Sequence, residues 1–218
     1  GPEDFAPSEY RWGYNRMTTI QGLFTAGDGV GASGHKFSSG SHAEGRIAAK
    51  AAVGFILDHD SSSPSVGENP EELAEEIFRP MATYEQHKSA TTDPDVNPNY
   101  IKPKMLMFRL NKLMDEYVGG TSSNYTTRDE SLVQGLEALT MLKEDSAKLA
   151  AKDLHELLRC WENYHRIWAA EVHLRHILFR KETRYPGYYY RSDFPELDDE
   201  NWKYFVNSRF DAAANEWK

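Results

Sequence analysis

The stretch from Gly22 to Lys50, GLFTAGDGVGASGHKFSSGSHAEGRIAAK, holds the densest set of groups in the chain able to bind an anion or a sugar. Asp28 places a carboxylate between Gly27 and Gly29, where the backbone is free to adopt positive φ or to approach a ligand closely. Such a carboxylate accepts hydrogen bonds from hydroxyl groups and stays ionised at neutral pH. Ser38, Ser39 and Gly40 lead into a helix whose pattern predicts Ser41 as cap, with Glu44 three residues on completing a capping box. The open N–H groups and dipole of a helix start favour negative charge, which puts Ser41 and His42 at an anion-binding position. His35 and Lys36, a possible acid–base group and a cation, precede that helix in the small-residue loop.

These groups need elements to hold them. Gly22–Ala26 is a short apolar run of the sort that makes a buried strand, and Ile47, Ala48, Ala51, Ala52 and Phe55 share one face of the following helix. Gly29-Val-Gly31-Ala-Ser-Gly34 matches the dinucleotide fingerprint letter for letter. That fingerprint needs its helix to open inside the glycines and an acidic residue about 20 positions on. Here the helix is expected only at Ser41, and Asp58 and Asp60 lie too far along, so the pyrophosphate-cradle reading is set aside.

The wording GLFTAGD, a Ser/Gly-rich loop and a helix carrying Gly-Arg resembles the last flavin-contacting segment of the succinate dehydrogenase and fumarate reductase flavoproteins. Two longer motifs, GHKFSSGSHAEGR and RKETRYPGYYYRSDFPELDDENWK, resemble one branch of that superfamily, the adenylylsulfate (APS) reductase alpha subunits. The resemblance runs the length of the chain. It implies FAD as cofactor, with Gly27, Asp28, Ser38, Ser39, Gly40, Ser41 and His42 as the cofactor-binding set: Asp28 on a ribityl hydroxyl, and the amides of Ser41 and His42 facing the flavin N1–C2=O edge. It also implies interconversion of adenylylsulfate with sulfite plus AMP, sulfite adding at flavin N5, and a separate beta subunit carrying iron–sulfur clusters. In the dicarboxylate-handling relatives an arginine stands at the place of Lys36. Arginine clamps carboxylates as a planar fork and lysine offers a point charge, so this departure argues against succinate or fumarate. Within the resemblance, GPEDF lies mid-polypeptide, and the expectation is a chain that begins well inside a flavoprotein and is incomplete as an enzyme.

Composition agrees with a soluble globular chain. Of 218 residues 39% are apolar and 27% charged, enough apolar content for a sizeable core. The net charge of −9 disfavours nucleic acid or an anionic membrane surface as partner. One cysteine, Cys160, allows no internal disulfide and cannot by itself build an iron–sulfur site; the usage suits a reducing cytoplasm. No apolar run reaches 18 residues and no export signal is seen, so a membrane-spanning role is not expected.

The expected fold class is α+β, mostly α: the closing strand–loop–helix of an FAD-binding domain over 1–58, a Ser/Pro/Gly-rich linker over 59–70, a helical bundle or cap over 71–183, and an aromatic, charged extension over 184–218. Helices are expected over 71–81 (Asn69 as cap, Pro70 first, Pro80 kinking its end), 104–118, 129–149 and 150–180. Met105, Phe108, Leu110, Leu113, Met114 and Tyr117 mark the apolar face of the second. Glu162-x-x-His165 and the pair His173 and His176 have metal-ligand spacing, but no second E-x-x-H exists, and the reading is hydrogen-bonded or packed histidines with no metal. Residues 184–202 read as a structural latch near the partner subunit. Two other readings stay open: a dicarboxylate oxidoreductase of the same superfamily, and a non-catalytic helical interaction module.

Overall fold

A computed structural model describes residues 13–18, 20–30, 37–59, 69–91, 97–184, 190–204, 206–208 and 210–218. The chain divides into two compact units, Gly1–Ser65 and Val66–Lys218.

Among the described residues, the first unit shows a short arm and one long helix, α1 (Ser38–Asp58). In the arm, Met17 and Phe24 form a single antiparallel bridge, closed by Thr18 N–H to the Leu23 carbonyl (2.8 Å) and Thr25 N–H to the Arg16 carbonyl (3.0 Å). The buried strand expected over Gly22–Ala26 is therefore one bridging residue, and Leu23 is half exposed. A sheet strand needs backbone partners along its edges, and among the described residues only Arg16–Thr18 provides them. Met17 is fully buried, and the Tyr14 ring stands edge-on to Phe55 at 5.3 Å. Of the aromatics flanking this arm, Phe5, Tyr10 and Trp12 lie outside the described residues.

The second unit is helical: α2 (Pro70–His87), α3 (Pro103–Tyr117), α4 (Asp129–Ser146) and α5 (Leu154–Phe179). Asn69 caps α2 by accepting the Glu71 N–H at 3.0 Å. The helix does not end near Pro80 but runs on to His87; Pro80 is buried inside it, and its carbonyl accepts the N–H of buried Ala151 at 2.9 Å. The loss of one helical donor is tolerated because packing holds the turn. In α3 the inward face is Leu106, Leu110 and Leu113. Met105 and Phe108, expected on that face, are 57% and 52% exposed. Gly119 ends α3 at φ +79°, and a Cβ on Gly120 would lie 2.4 Å from the Asp115 Cα, so both glycines are required there.

One core joins α3, α4 and α5, with Leu106, Leu132, Leu139, Leu149 and Leu174 each at 1% exposure or less. Gly135 lets α4 approach its neighbours: a Cβ there would sit 3.1 Å from Tyr117 and 3.2 Å from Leu174. Helix α5 starts at Leu154, four residues later than its apolar pattern predicts, because Asp153 caps it by accepting the Glu156 N–H at 2.9 Å. Just before α4, β1 (Thr126–Thr127) pairs in parallel with β2 (Tyr190–Arg191), which follows α5; after β2 a short helix α6 spans Asp199–Trp202, and β3 (Phe210–Asp211) pairs antiparallel with β4 (Glu216–Trp217). Among the described residues no helix is long and apolar enough to cross a membrane.

Candidate functional site

The site candidates of the first unit gather at the start of α1. The arm runs into a tight turn, Gly27–Gly29, closed by the Val30 N–H on the Gly27 carbonyl at 3.2 Å. Gly27 has φ +66°, and a Cβ on it would come within 3.1 Å of the Ser41 hydroxyl oxygen. A Cβ on Gly29 would fall 2.3 Å from the Thr25 hydroxyl oxygen. Both glycines thus let the turn press onto the first turn of α1 with Thr25 folded beneath it. Asp28, at the tip, is exposed and has no described partner for its carboxylate.

Helix α1 opens at Ser38, with Phe37 at the capping position in extended backbone and no side-chain cap. Ser41 is therefore not the cap: it lies one turn inside, and its own N–H is spent on the Phe37 carbonyl at 2.8 Å. The His42 N–H falls opposite the Ser38 carbonyl in the regular helix. The first-turn donors with no helical acceptor are those of Ser38, Ser39 and Gly40, four residues earlier than the capping-box pattern predicts. Glu44, the supposed box partner, is instead 9% exposed and paired with the Arg16 guanidinium. Arg16 holds φ +69°, a region sparsely populated by residues with a Cβ, pinned by that ion pair and by its carbonyl on Thr25. No sequence pattern signals a pair 28 residues apart. His35 and Lys36 lie outside the described residues.

In the second unit Glu162, His165 and His176, three of the residues with metal-ligand spacing, face ordinary partners. Glu162 pairs with Arg159 at 2.7 Å and Arg166 at 3.5 Å, and the Arg159 hydrogen bonds hold its carboxyl below the usual range. His165 stands 6.2 Å from the Trp161 ring, and His176 meets the Ser208 hydroxyl at 2.8 Å. Among the described residues no three His, Cys, Asp or Glu side chains converge on a common point. Cys160 is buried, and burial pushes its thiol up to about 12.

The aromatic, charged stretch after α5 carries a network that its composition did not reveal. Arg191 is fully buried; it donates to the Arg180 carbonyl at 3.1 Å, to the Ile177 carbonyl at 2.5 Å, to Asp193 at 2.8 and 2.9 Å, and to Asp129. Asp193 in turn accepts the Asp129 N–H at 2.8 Å, so it caps α4 from outside the helix. Glu182, also fully buried, is clasped by Arg180 (2.6 Å) and Arg184 (2.6 and 2.9 Å) and accepts the Asp198 N–H at 3.1 Å. This network ties the end of α5 to the start of α4.

Residues 107–217 match the family model described as the fumarate reductase flavoprotein C-terminus. The chain belongs to that family. Over its whole length it is 55% identical to the adenylylsulfate reductase subunit alpha of Megalodesulfovibrio gigas, of which it spans 34%. It is also similar to the solved adenylylsulfate reductase of the hyperthermophile Archaeoglobus fulgidus, with 54% identity, a TM-score of 0.89, all of this chain covered and 35% of the other. The same figures hold for an adenosine-5-phosphosulfate reductase solved as a covalent adduct with sulfite. The chain thus spans about a third of the length of the relatives it matches, as a mostly helical member of this flavoprotein family.

Proposed function

We propose that these residues are the carboxyl-terminal part of an FAD-dependent flavoprotein subunit that interconverts adenylylsulfate with sulfite and AMP. The observation that carries the reading is 55% identity, over every residue of the chain, to an adenylylsulfate reductase alpha subunit. The proposed organisation is the closing segment of an FAD-binding domain over 1–58, a linker over 59–70, a helical domain over 71–183 and an extension over 184–218. The proposed location is the cytoplasm.

The residues at the start of α1 fit a flavin. Asp28 offers an exposed carboxylate with no described partner, suited to accept from the hydroxyls of a sugar alcohol. Gly27 and Gly29 keep side chains off the turn, leaving its backbone open to close approach. The first-turn amides of α1, which have no acceptor within the helix, together with the helix dipole, favour negative charge beside them, a contribution of ~0.3–1 kcal/mol. Ser39, Ser41 and His42 complete the proposed cofactor-binding set, and Lys36 and His35 are the proposed groups nearest substrate. FAD, when bound, supplies the two-electron centre. Two electrons reduce adenylylsulfate to sulfite and AMP, and they are proposed to pass through an iron–sulfur beta subunit. Cys160, with its thiol buried in the helical core, is not available as a cluster ligand.

The test is AMP-dependent sulfite oxidation by the full-length complex with an artificial acceptor, with fumarate reduction assayed beside it. Turnover requiring both AMP and sulfite is expected. Fumarate turnover in its place moves the chain to the dicarboxylate branch, and absence of both activities and of bound flavin leaves a helical interaction module.

A further inference from the structure

The last nine residues form a β-hairpin that is attached to the bundle without entering it. β3 and β4 are two residues each, joined by a turn in which Asp211 accepts the Ala214 N–H at 3.2 Å and Asn215 takes φ +53°. Lys218 closes the hairpin on Asp211 at 2.7 Å. None of Phe210–Lys218 is buried, and none belongs to the core of α3, α4 and α5. A two-stranded hairpin of this size has no stability of its own in water. Its order must come from where it sits.

It sits on one turn of α5. Phe210 and Trp217 pack against Trp168, with ring centroids 5.0 and 6.1 Å away, and against each other at 5.2 Å. The polar anchor is the Trp217 indole N–H, which donates to Glu171 at 2.9 Å. Glu171 is 6% exposed and also accepts from Arg175 at 2.9 Å and from Lys143, whose ammonium lies 4.5 Å above the Trp168 ring. Burial alone would raise its carboxyl; the Lys143 and Arg175 hydrogen bonds outweigh that and hold it below the usual range, so it is ionised at neutral pH. Glu171, Lys143 and Arg175 also line a groove of about 190 Å³ between α4 and α5, walled on its apolar side by Val133, Leu136 and Leu139. The acceptor that holds the hairpin is thus shared with an open groove.

We infer that the hairpin Phe210–Trp217 is a detachable clasp: it undocks from Trp168 and Glu171 as one unit, uncovering that turn of α5 while the bundle stays folded. Among the described residues, this element has no buried residue and meets α5 through one charge-assisted hydrogen bond and one aromatic cluster, which places it towards the low-stability end of the structure. Everything it covers is already supported from the other side by α4.

Hydrogen exchange read by mass spectrometry on the full-length polypeptide tests this, comparing Phe210–Lys218 with α4 and α5. The clasp amides should exchange faster than those of the two helices. Trp217→Phe keeps an aromatic side chain but loses the indole N–H donor and part of the packed ring, and it should speed exchange in the hairpin by about tenfold or more, leaving α4 and α5 unchanged. A wild-type hairpin as protected as α5 overturns the inference, as does a hairpin indifferent to Trp217→Phe. A Trp217→Phe protein that exchanges faster throughout, or fails to fold, overturns it too, since a clasp cannot be a condition of the fold.

Discussion

Helices α1 and α5 are both long, 21 and 26 residues, and both carry apolar side chains at helical spacing, yet they use them in opposite ways. Along α5, Leu157, Cys160, Ile167, Ala170, Leu174 and Ile177 are all buried against α3 and α4. Along α1 only Ala48 of the apolar residues is buried, and Val53, Ile56 and Leu57 stand 57%, 61% and 79% exposed at i, i+3, i+4 spacing. A stripe of that kind marks a contact surface rather than a finished exterior. The second unit closes its own core, whereas α1 leaves this stripe uncovered among the described residues, in a chain that spans about a third of the length of its relatives.

The sharpest test of that contrast pairs one leucine from each helix. Leu174→Ala removes a fully buried side chain packed beside Gly135, and a loss of about 2–5 kcal/mol is expected in urea unfolding of the chain. Leu57→Ala should stay within about 0.5 kcal/mol in the same experiment. A cost above about 1 kcal/mol for Leu57→Ala in the full-length polypeptide would locate the missing partner on that face of α1.

Next in size is the loss of the buried guanidinium. Arg191→Met leaves the Ile177 and Arg180 carbonyls without their donor and leaves Asp193 without its cation. The expected cost is about 2–4 kcal/mol. Arg191→Lys should recover only part of it, because an ammonium cannot reproduce the fork that serves two carbonyls and two carboxylates at once. A variant equal to wild type in unfolding would show that β2 and the start of α4 are held by packing alone.

The sequence made the helices legible because their signals are local. Asn69-Pro70 starts α2, Gly119-Gly120 stops α3, and the leucines of α4 recur every three or four residues. The start of α1 lies four residues before the cap the pattern predicts because Ser41 and Glu44 imitate a capping box, whereas the structure opens the helix after Phe37 and uses Glu44 to bind Arg16. Nothing in a chain of letters separates those two uses of one carboxylate. Met105 and Phe108 were placed on the wrong face of α3, since composition alone does not say which of two apolar stripes meets α4 and α5. The ties made by Arg191 and Glu182 were invisible for a different reason: a charged residue reads as surface, and only tertiary structure shows that four or five partners have followed it inside. At the candidate flavin site the legible part was glycine, because Gly27 and Gly29 each answer a local steric demand.

The smallest expected effect is a pH dependence confined to acid. The Arg191 guanidinium beside Asp193 holds its carboxyl down to about 2, against the opposing effect of burial, with the Asp129 N–H assisting. An unfolded aspartate titrates near ~3.9. The folded form therefore binds its proton less readily, and the stabilisation is fully present above the unfolded value and drains away as pH falls from about 4 towards 2. Asp193→Asn should be less stable than wild type at pH 7, with the gap between the two proteins closing through that window in urea unfolding at stepped pH. A gap that stayed constant from pH 7 to pH 2 would mean that Asp193 contributes by shape and by capping α4 rather than by charge. The tie between β2 and α4 would then differ from that between α1 and its arm, which the Arg16–Glu44 ion pair joins.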